Sequence, residues 1–161
     1  MTDIITQNVG VDISKATLDV QLHPAGKARQ FANDAKGIRA LLAWLGGYSI
    51  ARVVFEPTGP YHHGFERRLG EAGLPLAKIN PLQARRFAQA TGAHAKTDAI
   101  DAAMLARMGA LLTPPARPIT SQTIDEMKEL HIARLALIKD RTAAKNREHA
   151  CRSPLLKRHA T

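Results

Sequence analysis

Residues 8–22 read Asn-Val-Gly-Val-Asp-Ile-Ser-Lys-Ala-Thr-Leu-Asp-Val-Gln-Leu, and this stretch decides the fold. From Asn8 to Lys15 the apolar residues Val9, Val11 and Ile13 alternate with others, so a strand would put them on one face and Asp12 on the opposite one. Thr17 to Leu22 repeats the alternation with Leu18, Val20 and Leu22, which gives Asp19 a solvent-facing position. The His23-Pro24-Ala25-Gly26 turn leads to a weaker third strand around Lys27 to Phe31. Connections this short join antiparallel strands.

Beyond residue 32 the period becomes helical. Asn33 has the chemistry of an N-cap, Ile38, Leu41, Leu42 and Leu45 form a stripe, and Gly46-Gly47 closes the helix. Arg52-Val53-Val54-Phe55 reads as a strand covered on both faces. Tyr61, Phe65, Leu69 and Ala72 mark a second helix that ends at Gly73. Leu74 to Ile79 is a fifth strand, and Asn80-Pro81 opens a third helix with Ala84, Phe87 and Ala88. A fourth helix starts near Thr97 with Ile100, Met104, Met108 and Leu111 as its expected inward stripe, and Pro114, Pro115 and Pro118 stop it. The order is βββαβαβα. It predicts an α/β domain with a mixed five-stranded sheet flanked by helices, as in ribonuclease H-like folds.

Residues 117–161 form a separate segment, a linker followed by a basic helix from Thr123 to about Glu148, with Thr123 and Glu126 at capping-box spacing. Such a helix cannot bury its apolar residues alone and needs a partner surface. The expected division is 1–116 and 117–161.

The 161 residues fit one domain plus an appendage, and 45% hydrophobic with 23% charged residues is the balance of a globular chain. No apolar run approaches the ~20 residues of a membrane helix, and no signal peptide is apparent. A single cysteine, Cys151, excludes an internal disulfide and argues against structural zinc. The expected setting is cytoplasmic. Net charge is +9, and it is spread: +4 over residues 1–116 and +5 over 117–161. A basic surface of that kind suits a polyanion such as nucleic acid. Aromatic residues at 4% argue against an extended base-stacking platform.

Four carboxylates stand out. Asp12 lies within the first strand. Glu56 follows the apolar strand directly and faces the crevice where α/β sheets bind ligands. Asp98 and Asp101, three apart, share one helix face, although acids in a first turn also serve the helix dipole. Together they offer hard oxygen ligands for one or two Mg²⁺ ions, with Mn²⁺ as a substitute, as phosphodiester chemistry requires. Arg85, Arg86 and Lys96 are the expected phosphate contacts, and Lys15 and Thr58, which flank two of the carboxylates, are further expected contacts to nucleic acid. His62-His63 could approach from Thr58-Gly59, but an exposed helix start is the simpler reading.

The segments Val-Gly-Val-Asp-Ile-Ser-Lys (9–15), Glu-Pro-Thr-Gly (56–59), Asn-Pro-Leu-Gln-Ala-Arg-Arg-Phe-Ala (80–88) and Ala-Lys-Thr-Asp-Ala-Ile-Asp-Ala (95–102) resemble, in order, the motifs of DEDD-type insertion-sequence transposases, the IS110 group that includes the Piv-type DNA invertases. The resemblance implies a RuvC-like domain with Asp12, Glu56, Asp98 and Asp101 as its catalytic, metal-holding acids. It also implies DNA as substrate, strand cleavage and transfer as the reaction, and work at the nucleoid. Residues 141–147 resemble the family's coiled-coil region, which implies assembly of subunits through the C-terminal helix. Some members are guided by an RNA encoded in the element, so an RNA partner is implied as well. Family members continue into a domain with a serine nucleophile. Ser14, Ser49, Ser121 and Ser153 lie in no matching context, so the chain is expected to be an N-terminal portion. Readings from other classes are a non-catalytic nucleic-acid-binding remnant and a stand-alone structure-selective nuclease. An actin-like ATPase would need two such domains.

Overall fold

The computed structural model describes residues 5–92, 98–119 and 121–151, excepting the side chains of 98–100. They fall into two compact units, 1–119 and 120–161.

In the first unit, β1 (Gln7–Ile13), β2 (Thr17–His23) and β3 (Ala28–Ala32) are followed by α1 (Ala35–Leu45), β4 (Ile50–Phe55), a 3₁₀ turn (Gly59–His62) and α2 (His63–Glu71). Then come β5 (Leu76–Lys78), α3 (Pro81–Ala90) and α4 (Asp98–Leu112). The sheet order is β3-β2-β1-β4-β5. β1, β2 and β3 pair antiparallel, whereas β4 and β5 run parallel to β1. This mixed sheet is the ribonuclease H-like arrangement expected from the element order.

Strand alternation gives the sheet two different faces. Val9, Val11, Ile13, Leu18, Val20, Leu22, Val53, Phe55 and Leu76 join Ile38, Leu41 and Leu45 of α1 and Phe65 and Leu69 of α2 in one core. On the other face Val54, Ala77 and Ile79 meet Ala84 of α3 with Leu105 and Met108 of α4. That second face is built for close approach. A Cβ on Gly10 would run into the backbone of Ala102 and Ala106, and one on Gly109 would press on Val54 and Asn8. The α4 helix therefore lies nearly backbone-to-backbone on β1, and the Arg52 guanidinium donates to the Gly109 carbonyl at 2.7 Å.

Several local expectations are corrected. The N-cap of α1 is Asp34, whose carboxylate accepts from Gly37 N–H, because Asn33 is committed elsewhere. The inward face of α4 is Ala102, Leu105, Ala106 and Met108. Met104 only packs against this core, Leu111 is exposed, and the Ile100 side chain lies outside the described residues.

The second unit contains α5 (Gln122–Ala150), capped by Ser121 and not by Thr123. No residue of α5 is buried. No helix among the described residues is long and apolar enough to cross a membrane.

Candidate functional site

Two carboxylates meet through strand register. The parallel pairing of β1 and β4 ends at Val11 opposite Phe55. Asp12 and Glu56 follow as the next residues of neighbouring chains. Gly10 and Val54 face α4, so one alternation further on Asp12 and Glu56 face the same side, both half-buried.

The run of α4 brings a third. Gly109 lies over Asn8, and Ala102 with Ala106 lies over Gly10, so the helix runs antiparallel to β1. From Asn8 to Asp12 a strand covers about 13 Å, and from Gly109 back to Asp101 a helix covers about 12 Å. The first turn of α4, with half-buried Asp101, thus lies at the level of Asp12. Asp98 is the first residue of that turn, and its side chain lies outside the described residues.

Asp19 belongs to the same row. It pairs directly with Asp12 in the β1–β2 ladder, so the two share a face, and its Oδ1 accepts from Gln30 Nε2 at 2.9 Å. It is half-buried, not the simple solvent position its alternation suggested. The tight turn after Ile13, closed by Ser14 N–H to Thr17 O at 2.9 Å, sets this pairing and was the available signal.

Asn33 ties together the two chain segments that carry Asp12 and Glu56. Its amide Nδ2 donates to Ser14 O at 2.7 Å and to Tyr61 O at 3.1 Å. Both acceptors lie just beyond the acids in sequence. Gly59, in the left-handed region at φ +47°, turns the chain between Glu56 and the 3₁₀ segment.

His62 and His63 part company. His63 is exposed, as a helix start would be, but His62 is only 7% exposed and lies on the Phe55 side of the sheet, away from Asp12. Its Nδ1–H donates to Gly59 O at 2.8 Å, so in the neutral ring Nε2 accepts from Lys78 Nζ at 3.5 Å. Burial first, then the Lys78 charge, hold its pKa below the usual histidine value. His62, His63 and Glu66 have ligand-type atoms within 4.8 Å of one another. The Lys78 ammonium already sits 2.7 Å from Glu66, so the protein supplies its own cation there.

Of the expected phosphate contacts, Lys15 and Thr58 are exposed just beyond Asp12 and Glu56, and Arg85 and Arg86 are exposed on α3. Lys96 lies outside the described residues.

The transposase model of the IS110 DEDD type matches residues 9–153. The chain belongs to that family. Among its relatives are the pilin gene-inverting proteins of Moraxella bovis and Moraxella lacunata, each 29% identical over 83% of this chain. The chain spans 45% of their length. A solved structure of T. thermophilus RuvC in complex with Holliday junction substrate aligns with 70% of this chain and all of that one, at TM-score 0.47 and 14% identity. That likeness bears on neither substrate nor mechanism.

Proposed function

We propose that this domain is the metal-dependent strand-cleaving part of a DNA transposase or site-specific recombinase, with Asp12, Glu56, Asp98 and Asp101 as its acids. The observation that carries this reading is the course of α4. It lies against Gly10 and brings its first turn to the Asp12–Glu56 pair. Carboxylates from adjacent strand ends and a helix start offer hard oxygen donors, the set that Mg²⁺ or Mn²⁺ takes. Asp12, Glu56 and Asp101 would hold the ion, with Asp98 completing the set by its spacing. When bound, the ion supplies charge stabilisation to a phosphodiester and lowers the pKa of an attacking water.

The chain's own residues do the rest. Asp12 and Glu56 stand side by side at the ends of β1 and β4, and Asn33 keeps their two segments in step. Lys15, Arg85, Arg86 and Lys96 neutralise flanking phosphates of DNA, or of an RNA guide, and the Thr58 hydroxyl donates to a phosphate oxygen. The α5 helix, whose Ile124, Met127, Leu130, Ile132, Leu135 and Leu137 are all exposed, joins subunits.

Mn²⁺ titration, read by calorimetry or by the electron paramagnetic signal of free Mn²⁺, tests the centre. Asp12→Asn, Glu56→Gln and Asp101→Asn should each weaken binding at least about tenfold. Unchanged affinity in Asp12→Asn would remove the assignment.

A further inference from the structure

A groove runs along the outer edge of β5, on the face covered by α3 and α4. It encloses about 630 Å³, and Ile79, Phe87, Met108, Leu112, Pro114 and Pro115 form its apolar lining. The other described lining residues are Lys78, Gln83, Arg86 and Arg117, and no carboxylate stands among the described lining residues. Lys78 is shared with Glu66, while Arg86 and Arg117 make no ion pair among the described residues. The far wall is fixed to the sheet, since Arg117 N–H donates to Leu76 O at 2.8 Å.

The groove opens beside the carboxylates. Ile79 N–H donates to Phe55 O at 2.9 Å, and Glu56 is the next residue. A strand leaving the Asp12–Glu56 end of the sheet therefore meets Ile79 first, and Arg117 stands at the Leu76 end.

We propose that this groove holds one unstacked nucleotide of a single-stranded segment, its phosphates on Arg86 and Arg117 and its base against Phe87 and the prolines. An apolar floor with a cationic rim matches a single strand, whose bases are exposed and whose backbone is anionic. A duplex hides its bases and would leave the floor unused. An acidic peptide would match the rim but leave Phe87 without a flat partner. One ring is consistent with the low aromatic content, because it serves a single base and not an extended track. The proposal rests on the nucleic-acid reading above and extends it to a site away from the acids.

The test uses the full chain and labelled oligonucleotides of about 12 nucleotides, followed by fluorescence anisotropy in EDTA. The DNA and RNA versions are each compared with an abasic strand and a duplex. Phe87→Leu should weaken binding of the normal strand about fivefold or more and leave the abasic strand unchanged. Arg117→Ala should weaken both and reduce the salt slope by about one. Leu112 is 55% exposed, so Leu112→Glu introduces a carboxylate into the groove without touching the core, and it should weaken binding even if Phe87→Leu disturbs the fold. Equal affinity for normal and abasic strands, displacement by polyglutamate as readily as by oligonucleotide, or full binding by Leu112→Glu would overturn the proposal. Because EDTA removes metal, strand binding is read without the metal centre, and the groove variants should keep the parent's Mn²⁺ affinity. Failure of the metal centre and failure of the groove are thereby read separately.

Discussion

The two faces of the sheet are packed by opposite means. Towards α1 and α2 the strands present large side chains, Phe55 and Leu18 among them, that interlock with Phe65, Leu41 and Leu69. Towards α4 the contact over β1 is made by glycine and alanine, with Gly10 against the backbone of Ala102 and Ala106. The first kind of packing supplies burial energy, and its value scales with the apolar area removed from water. The second supplies little area per residue but sets a distance. It fixes where the start of α4 lies relative to Asp12. Stability and site geometry should therefore be separable by mutation.

Phe65→Ala and Gly10→Ala set the two faces against each other. Phe65 is fully buried on the α2 side, and its truncation should cost about 3–5 kcal/mol while the folded fraction retains its Mn²⁺ affinity. Gly10→Ala adds one methyl group against backbone that cannot swing aside as a side chain would. It should cost about 1–3 kcal/mol and weaken Mn²⁺ binding far more than Phe65→Ala does. Thermal melts and Mn²⁺ titrations on both variants check the contrast. If Gly10→Ala binds metal like the parent, α4 does not set the site.

Asn33 holds the segment after β1 to the segment after β4, and the next effect is smaller. Asn33→Ala leaves Ser14 O and Tyr61 O without their shared donor and should cost about 1–2 kcal/mol. Asn33→Asp should cost more, because a carboxylate would face two carbonyl oxygens. A denaturant series on the pair decides it, and equal losses would mean that solvent satisfies those carbonyls.

The run of elements was legible because alternation survives in β1 and β2, and a two-residue period has few competing explanations. Glu56 was legible because a carboxylate directly after Val53-Val54-Phe55 breaks an apolar run at a strand end. The α4 stripe was misread for a physical reason. Ile100, Met104, Met108 and Leu111 are the large residues at helical spacing, and large residues usually face the core. Here close backbone approach demands small ones, so Ala102 and Ala106 turn inward and Leu111 is exposed. Asn33 and Asp34 are equally good caps in isolation, and two carbonyls distant in sequence decide between them. His62 was invisible as a buried group because its cation, Lys78, comes from a strand 16 residues further on.

That histidine gives a milder test of the α2 side. Its pKa is lowered in the folded protein, chiefly by burial, so the unfolded chain binds the proton more readily. Stability should then be full above about pH 6.5 and decline as pH falls through that value towards the lowered folded pKa. Asn at this position can still donate to Gly59 O but does not titrate. His62→Asn should therefore lose less melting temperature than the parent between about pH 7.5 and 5.5. Parallel losses would show that other groups set the acid response.

The smallest effect concerns the end of the first unit, and it separates packing from association. Ile119 packs on the large-residue core and lies directly over Gly70, where a Cβ would strike its side chain. Two residues earlier, Arg117 is held to Leu76 by its backbone amide. A chain ending at Ile119 should keep the melting temperature of the mixed sheet nearly unchanged, because no α5 residue is buried. One ending at Arg117 should melt a few degrees lower, since losing a half-buried isoleucine costs about 1–2 kcal/mol. The exposed apolar residues of α5, by contrast, should draw the 161-residue chain into dimers or larger species that the Ile119 chain cannot form. Sedimentation gives the oligomeric state, and circular dichroism melts give the stability of each chain. A monomeric parent would remove α5 as an association element. Equal melting of the two shortened chains would place Ile119 outside the core that its contact with Gly70 assigns it to.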